Sequence, residues 1–409
     1  MERQMKRLAA LLSAAALVTA AGGQQAIARP RAVPALQSAA AGEFAEPVLY
    51  QAGIRAWSLA HADFDGDGSI DVATGNGGNS ISVFLNTGDG TFRPRTDYPA
   101  LKLPYFLTFD IVAADFTSDG KPDVAISGGN PVGNVIIYAN KGDGTFAAPT
   151  AVPIGFGPNQ LAAADLDRDG KQDIVTTNNF AADVSVRLGN GDGTFGVERH
   201  YEVGPGPQGL RVTDANHDRI PDLLTGNFGR PQDSLSVLYG RGDGTFRKVR
   251  QFTAGVSVND VATGDLNGDG RLDAVLPEFI NNRVQVVLGR PGGRFGAPTA
   301  YAIGTGVNEA AIADVNLDGR PDIITSVSPD SNRDPGSPPP APGLKGAGIT
   351  VLLGNGDGTF AEQKIYSIEG AVAAISPVDV NGDGRTDVIA ANLNTNSLVV
   401  WLNIAARRG

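Results

Sequence analysis

Residues 165–173 read DLDRDGKQD, and variants of this phrase stand at six other places in the 409-residue chain. They are DFDGDGSID (63–71), DFTSDGKPD (115–123), DANHDRIPD (214–222), DLNGDGRLD (265–273), DVNLDGRPD (314–322) and DVNGDGRTD (379–387). Their first residues are spaced 52, 50, 49, 51, 49 and 65 positions apart, a period of about 50. Self-similarity at a fixed spacing marks a chain built from equivalent supersecondary units, each too small to bury its own apolar face.

The surroundings of each copy repeat as well. A short apolar stretch precedes it and two follow, such as DIVTTNN (173–179) and DVSVRLGN (183–190), before a glycine turn like GDGTF (191–195) leads into a fourth. Runs of this length between Gly, Asn and Asp clusters are strands joined by turns, and no window carries a helical stripe. Seven units of four antiparallel strands predict an all-β fold, a seven-bladed β-propeller. The residues one and three before each first Asp are mostly small, such as Ala62 and Ala60 or Ala164 and Ala162. The residue four before is larger, as in Leu59, Ile111 and Leu161. This alternation lets inner strands approach closely around an axis.

The two ends complete each other. The last unit stops at SLVVWLNIAARRG (397–409), where a glycine turn and fourth strand are due, and GEFAEPVLYQAG (42–53) has the form of that fourth strand. The N-terminal strand is therefore expected to close the seventh blade and remove an unpaired sheet edge. The propeller is expected over 42–409, and the wide sixth interval is explained by a Pro/Gly-rich loop insertion at 329–348 whose composition favours extended chain. Ahead of it, Arg3, Lys6 and Arg7 precede an apolar run from Leu8 to Ala21, and Ala26-Ile27-Ala28 forms a small-x-small cleavage site. Residues 1–28 read as a signal peptide and 29–41 as a linker. The run is shorter than the roughly 20 residues that span a bilayer, so an exported protein is expected, secreted, periplasmic or at a bacterial cell surface. With no cysteine, disulfides and thiolate metal sites are excluded.

The Asp phrase supplies another kind of brace. D-x-[DN]-x-D-G-x-x-D places oxygen-bearing side chains at positions 1, 3, 5 and 9 of a tight loop, and hard oxygen donors suit Ca²⁺. Glycine at position 6 permits the positive φ of the bend. The candidate ligands are Asp63, Asp65, Asp67 and Asp71 in loop one; Asp115, Thr117, Asp119 and Asp123 in loop two; and Asp165, Asp167, Asp169 and Asp173 in loop three. Loop four offers Asp214, Asn216, Asp218 and Asp222; loop five Asp265, Asn267, Asp269 and Asp273; loop six Asp314, Asn316, Asp318 and Asp322; loop seven Asp379, Asn381, Asp383 and Asp387. Asp, Asn and Gly also favour turns without any metal. Seven loops in one register argue further, because two carboxylates 4 Å apart repel by about 4 kcal/mol at an effective dielectric near 20. Up to seven Ca²⁺ are expected. Loops one and three, with four carboxylates, should bind best, while loops two and four depart from the pattern at Thr117 and Arg219.

The loops hold 23 of the 44 acidic residues, and the formal charge is −11, or −13 without the leader. Seven divalent ions would leave about +1, so net charge points to no partner, and nucleic acid is not expected.

The Asp loops, together with the GDGTF and RFGAP turns, resemble the FG-GAP repeats of the integrin α-chain propeller and the VCBS-type repeats of exported bacterial proteins. The resemblance spans roughly residues 42–409. It implies a propeller in which each Asp loop joins the first two strands of a blade and binds calcium.

If Asp loops and glycine turns share one face, the opposite face carries the second-to-third-strand loops, including TNNFAAD and PEFINNR. There Phe180, Phe228 and Phe279, with Trp57, Asp110, Gln160, Gln208, Asp260 and Glu309 around the channel mouth, are candidate ligand-binding residues. Aromatic, amide and carboxylate groups suit a carbohydrate or an extracellular protein ligand. The RGD at 241–243 is only a glycine turn with a variable residue before it. Catalysis has few candidates: His61 and Arg211 interrupt the small-residue inner strands. The reading is a secreted, calcium-stabilised binding or adhesion module; a calcium-dependent polysaccharide lyase or hydrolase, or a purely structural surface component, are the alternatives.

Overall fold

The computed structural model describes residues 44–101, 108–129, 132–229, 234–303, 306–328, 347–361 and 363–405. The expected signal peptide, the linker and residues 329–346 of the insertion lie outside the described residues. Regular structure among the described residues consists of 28 strands, numbered β1 to β28 in chain order. They form seven separate sheets of four, and their pairings are antiparallel throughout blade one: β2 (Ala56–Ala62), β3 (Asp71–Asn76), β4 (Ser80–Phe84) and β5 (Thr96–Pro99). The fold is the seven-bladed β-propeller that the period predicts.

Blade seven is built from both ends. Its sheet order is β1-β28-β27-β26, with β1 (Val48–Gln51) paired to β28 (Ser397–Trp401) from Val48↔Val400 to Gln51↔Ser397. The N-terminal segment contributes more than a strand. Phe44 bridges Asn403 just as Phe92 bridges Asn86 and Phe146 bridges Asn140. GEF therefore stands in for the aromatic end of the missing glycine turn.

The core lies between blades instead of at one centre. The second strand is buried at every position, in DVATGN of blade one as in DIVTTN of blade three, because sheets cover both of its faces. One cluster joins Ala73, Ile81 and Val83 of blade one to Val124, Ile126 and Ile136 of blade two. Outer strands are wetter, with burial in β5 limited to a partly covered Tyr98.

At the outer rim, an aromatic ring on the last strand of one blade meets the glycine-turn phenylalanine of the next. Tyr50–Phe92, Tyr98–Phe146, Tyr201–Phe246, Phe252–Phe295, Tyr301–Phe360 and Tyr366–Phe44 are all edge-to-face, with centroids 5.2–5.5 Å apart. Such a pair contributes about 0.5–1.5 kcal/mol beyond the area it buries. Six of the seven junctions carry one.

Candidate functional site

Each Asp loop is organised by its own carboxylates. The position-1 residue caps the turn: Asp63 Oδ1 accepts from the Gly66 and Asp67 amides and Oδ2 from Gly68 at 2.9 Å. Position 5 accepts the position-7 amide in all seven loops, as Asp67 does from Ser69. Position 9 is fully buried in all seven and ties two distant segments together. Asp173 accepts the Leu166 amide on one oxygen and the Gly189 amide, at the end of the third strand, on the other, both at 2.8 Å. Burial pushes Asp71, Asp173, Asp222 and Asp322 up to about 6 and Asp387 to about 7; Asp123 and Asp273 are raised for the same reason.

The backbone is alike in all seven loops. Position 6 has φ between +64° and +88°, in Arg219 (+64°) as in the six glycines. Position 4 is also left-handed, including Ser118, Arg168, His217 and Leu317. Loop four therefore keeps the shape despite its missing glycine, at a steric cost to the arginine Cβ. Arg219→Gly is expected to raise stability by about 1 kcal/mol in chemical denaturation, the relief of strain outweighing the added chain entropy; a loss would show that the arginine side chain supports the loop.

The donor set fits a hard divalent cation in two loops above all. Asp63, Asp65 and Asp71, and likewise Asp165, Asp167 and Asp173, each bring a carboxylate oxygen within 4.8 Å of the others. These oxygens are engaged by amides yet retain lone pairs. Asp67 and Asp169 are not part of either group. The position-5 residues Asp119, Asp169, Asp269 and Asp383 instead pair with a Lys or Arg at position 7, at 2.6–3.1 Å. Elsewhere position 3 is Thr117 or an asparagine (Asn216, Asn267, Asn316, Asn381), which lowers the local negative charge.

The channel residues have partners that sequence reading did not foresee. Asp110 Oδ2 accepts the Leu161 amide of the next blade at 2.9 Å, Gln160 accepts from Leu210, Asp260 from Ala310 at 3.3 Å, and Glu309 from Ile375 at 3.0 Å. Each side chain thus clasps the neighbouring inner strand. Gln208 takes part through its carbonyl, which accepts from the Thr177 hydroxyl, and Trp57 is half-buried. Burial pushes Asp110 up to about 7, and burial with the charge of Asp260 holds Glu309 well above the usual carboxylate range. Arg211 lies 3.6 Å from Asp260, whose charge strengthens its hold on the proton. His61 is held below its ordinary value by burial, and no hydrogen bond to it is found among the described residues.

On the face opposite the Asp loops, Phe180 in the second-to-third-strand turn of blade three is 40% exposed and meets Phe156, 50% exposed, edge-on at 5.9 Å. Phe156 ends β9 (Thr150–Phe156), and the sequence reading missed it because it lies on a blade crossing. Phe228 and Phe279 are half-buried. The opposite face carries the glycine turns beside the Asp loops, as expected: the Gly144 amide donates to the Phe64 carbonyl and the Gly193 amide to that of Phe116, both at 3.0 Å.

Several solved structures share this architecture. The lectin BP39L from Burkholderia pseudomallei aligns with a TM-score of 0.60 at 15% identity, over 86% of this chain and 98% of its own. BBS1N, crystallised in complex with ARL6DN, gives 0.53 at 12% identity over 88% and 98%. An Agrocybe aegerita lectin that recognises non-reducing terminal N-acetylglucosamine gives 0.50 at 21% over 85% and 88%. At these identities the likeness is one of fold. No curated protein matches the chain. The FG-GAP-like repeat matches residues 63–126, 115–176, 214–276 and 343–390, more than half of the sequence. Those segments hold six of the seven Asp loops, all but the one at 314–322, and the chain belongs to the FG-GAP-like repeat family.

Proposed function

We propose that this protein is an exported binding module, braced by calcium in its Asp loops, that presents the opposite face to a carbohydrate or an extracellular protein. The observation that carries the reading is the Phe156–Phe180 pair, two exposed rings set among Asn- and Gly-rich turns. Exposed aromatic faces beside amide groups stack on sugar rings and anchor protein contacts. Two of the similar folds are lectins and one is crystallised with a protein partner, which supports binding as the use of such a face. Export is supported by the leader pattern of residues 1–28; among the described residues no helix is long and apolar enough to cross a membrane.

Calcium is supported by the two three-carboxylate groups in loops one and three. The ions would be held by Asp63, Asp65 and Asp71 and by Asp165, Asp167 and Asp173, and would neutralise repulsion between loop carboxylates. Glycan-array screening followed by calorimetry on the selected sugar tests the face. Phe180→Ala and Phe156→Ala are each expected to weaken binding about tenfold, the scale of about 1.4 kcal/mol for one stacking contact. If the array is blank, a captured protein whose binding falls in the same variants supports the protein arm. Binding that is unchanged in both variants places the site elsewhere.

A further inference from the structure

The junction between blades two and three departs from the repeat at four places, and all four meet in one cavity. The first is the missing rim ring. Val152 pairs with Val135 as Tyr98 pairs with Ile81 and Tyr201 with Val184, so it holds the register position of the aromatic partner. The second is Ala139, where other blades carry Leu85, Leu188, Tyr239, Leu288, Leu353 and Leu402. A Cβ on Gly144 would come within 2.8 Å of Leu85, and one on Gly244 within 2.5 Å of Leu188. On Gly193, the equivalent turn here, it would meet only the Thr117 methyl, at 3.6 Å. Thr117 is itself the third departure, in place of Asp or Asn.

The fourth is a charge. Arg187 pairs with Ile174 in the register position that holds Phe84, Tyr138, Leu238, Val287, Leu352 and Trp401 in the other blades. Its side chain is 18% exposed. Nη1 donates to the Gly196 carbonyl at 2.7 Å and Nη2 lies 3.6 Å from Glu198, but Nε is buried without a hydrogen-bond partner. The resulting cavity, about 360 Å³, is lined by Val152, Ala139, Thr117, Arg187, Gly193 and Phe195. Two truncations alone would make an apolar gap. The glycine-turn residues Asp192, Gly193 and Thr194 also line it and bring polar groups to its wall.

We propose that this cavity binds a phenolic ring. The ring would take the place that tyrosine holds at the other junctions, edge-on to Phe195. Its hydroxyl would donate to the Gly193 carbonyl, as Tyr98 Oη does to that of Gly144 at 3.4 Å. The ring could arrive as a free small phenol or as the tyrosyl side chain of a peptide, since both offer the same group.

Saturation-transfer NMR and calorimetry on the full chain test this with p-cresol, toluene and N-acetyltyrosinamide. Saturable p-cresol binding is expected, with toluene weaker by about tenfold for want of the hydroxyl. Val152→Tyr should restore the rim pair, raise the melting temperature and abolish p-cresol binding. N-acetyltyrosinamide binding alongside p-cresol points to a peptide source, and p-cresol binding alone to a small phenol. No p-cresol binding in the wild type, undiminished binding in Val152→Tyr, or equal affinity for toluene and p-cresol overturns the proposal.

Discussion

A calcium chelator is expected to lower the melting temperature by about 7 °C at pH 7.5 and by far less at pH 5. An ion at about 100 times its dissociation constant contributes about 2.7 kcal/mol per site, so the two groups of three carboxylates together supply about 5 kcal/mol, and a domain of this size shifts by roughly 1.3 °C per kcal/mol. The pH dependence follows from the buried position-9 residues. Their folded values lie near 6 to 7 for Asp71, Asp173, Asp222, Asp322 and Asp387, above the ordinary carboxylate value that applies when unfolded. Between those values the metal-free native state holds more protons than the unfolded chain. Its stability therefore falls as pH rises from about 4 to about 7. Calcium binding requires the same carboxylates ionised, so the ion matters most where protons are gone. Differential scanning calorimetry at both pH values, with and without chelator, measures this. An equal melting temperature with and without chelator at pH 7.5 would remove calcium from the account.

The second large effect concerns the strand that closes the ring. Deleting residues 44–53 is expected to abolish cooperative unfolding, because it strips β28 of one of its two partners and uncovers a sheet edge beside Trp401 and Val399. Phe44→Ala is the milder form. Phe44 is 8% exposed, stacks edge-on with Tyr366 at 5.2 Å and packs in the cluster that holds Ile349, Val351 and Trp401. Truncating such a ring costs about 3–5 kcal/mol. Urea denaturation should show that loss. A change below about 1 kcal/mol would mean that blade seven is held by its other three strands alone.

The ring was legible because one phrase of the repeat recurs seven times and the leftover half-repeats at the two ends fit together. The Asp loops were legible for a related reason, since an oxygen donor at every second position has few uses. What escaped were contacts between residues one blade apart. Nothing around Asp110 shows that it accepts an amide from Leu161, 51 residues on. The second duty of Asp173, joining the loop to Gly189 across the blade, is likewise invisible in a motif nine residues long. The left-handed backbone at Arg168 and Leu317 goes against residue type altogether, and only the shared hydrogen bonding of the loops forces it. The rim aromatics were present at a constant interval of six residues, from Phe92 to Tyr98 and Phe195 to Tyr201. Their absence at Val152 gains meaning only when Ala139, Thr117 and Arg187 are seen on the same wall.

The junction of β1 and β28 also fixes how the ring would respond to mechanical load. Because the strands are antiparallel and Phe44 faces Asn403, the two ends of the described chain lie at the same corner of blade seven. Tension between them meets the hydrogen bonds one at a time, first at Phe44 and Ala45, then at Val48, and last at Gln51. The seam would unzip at low force instead of resisting in shear, and the other six blades would still be folded when it opened.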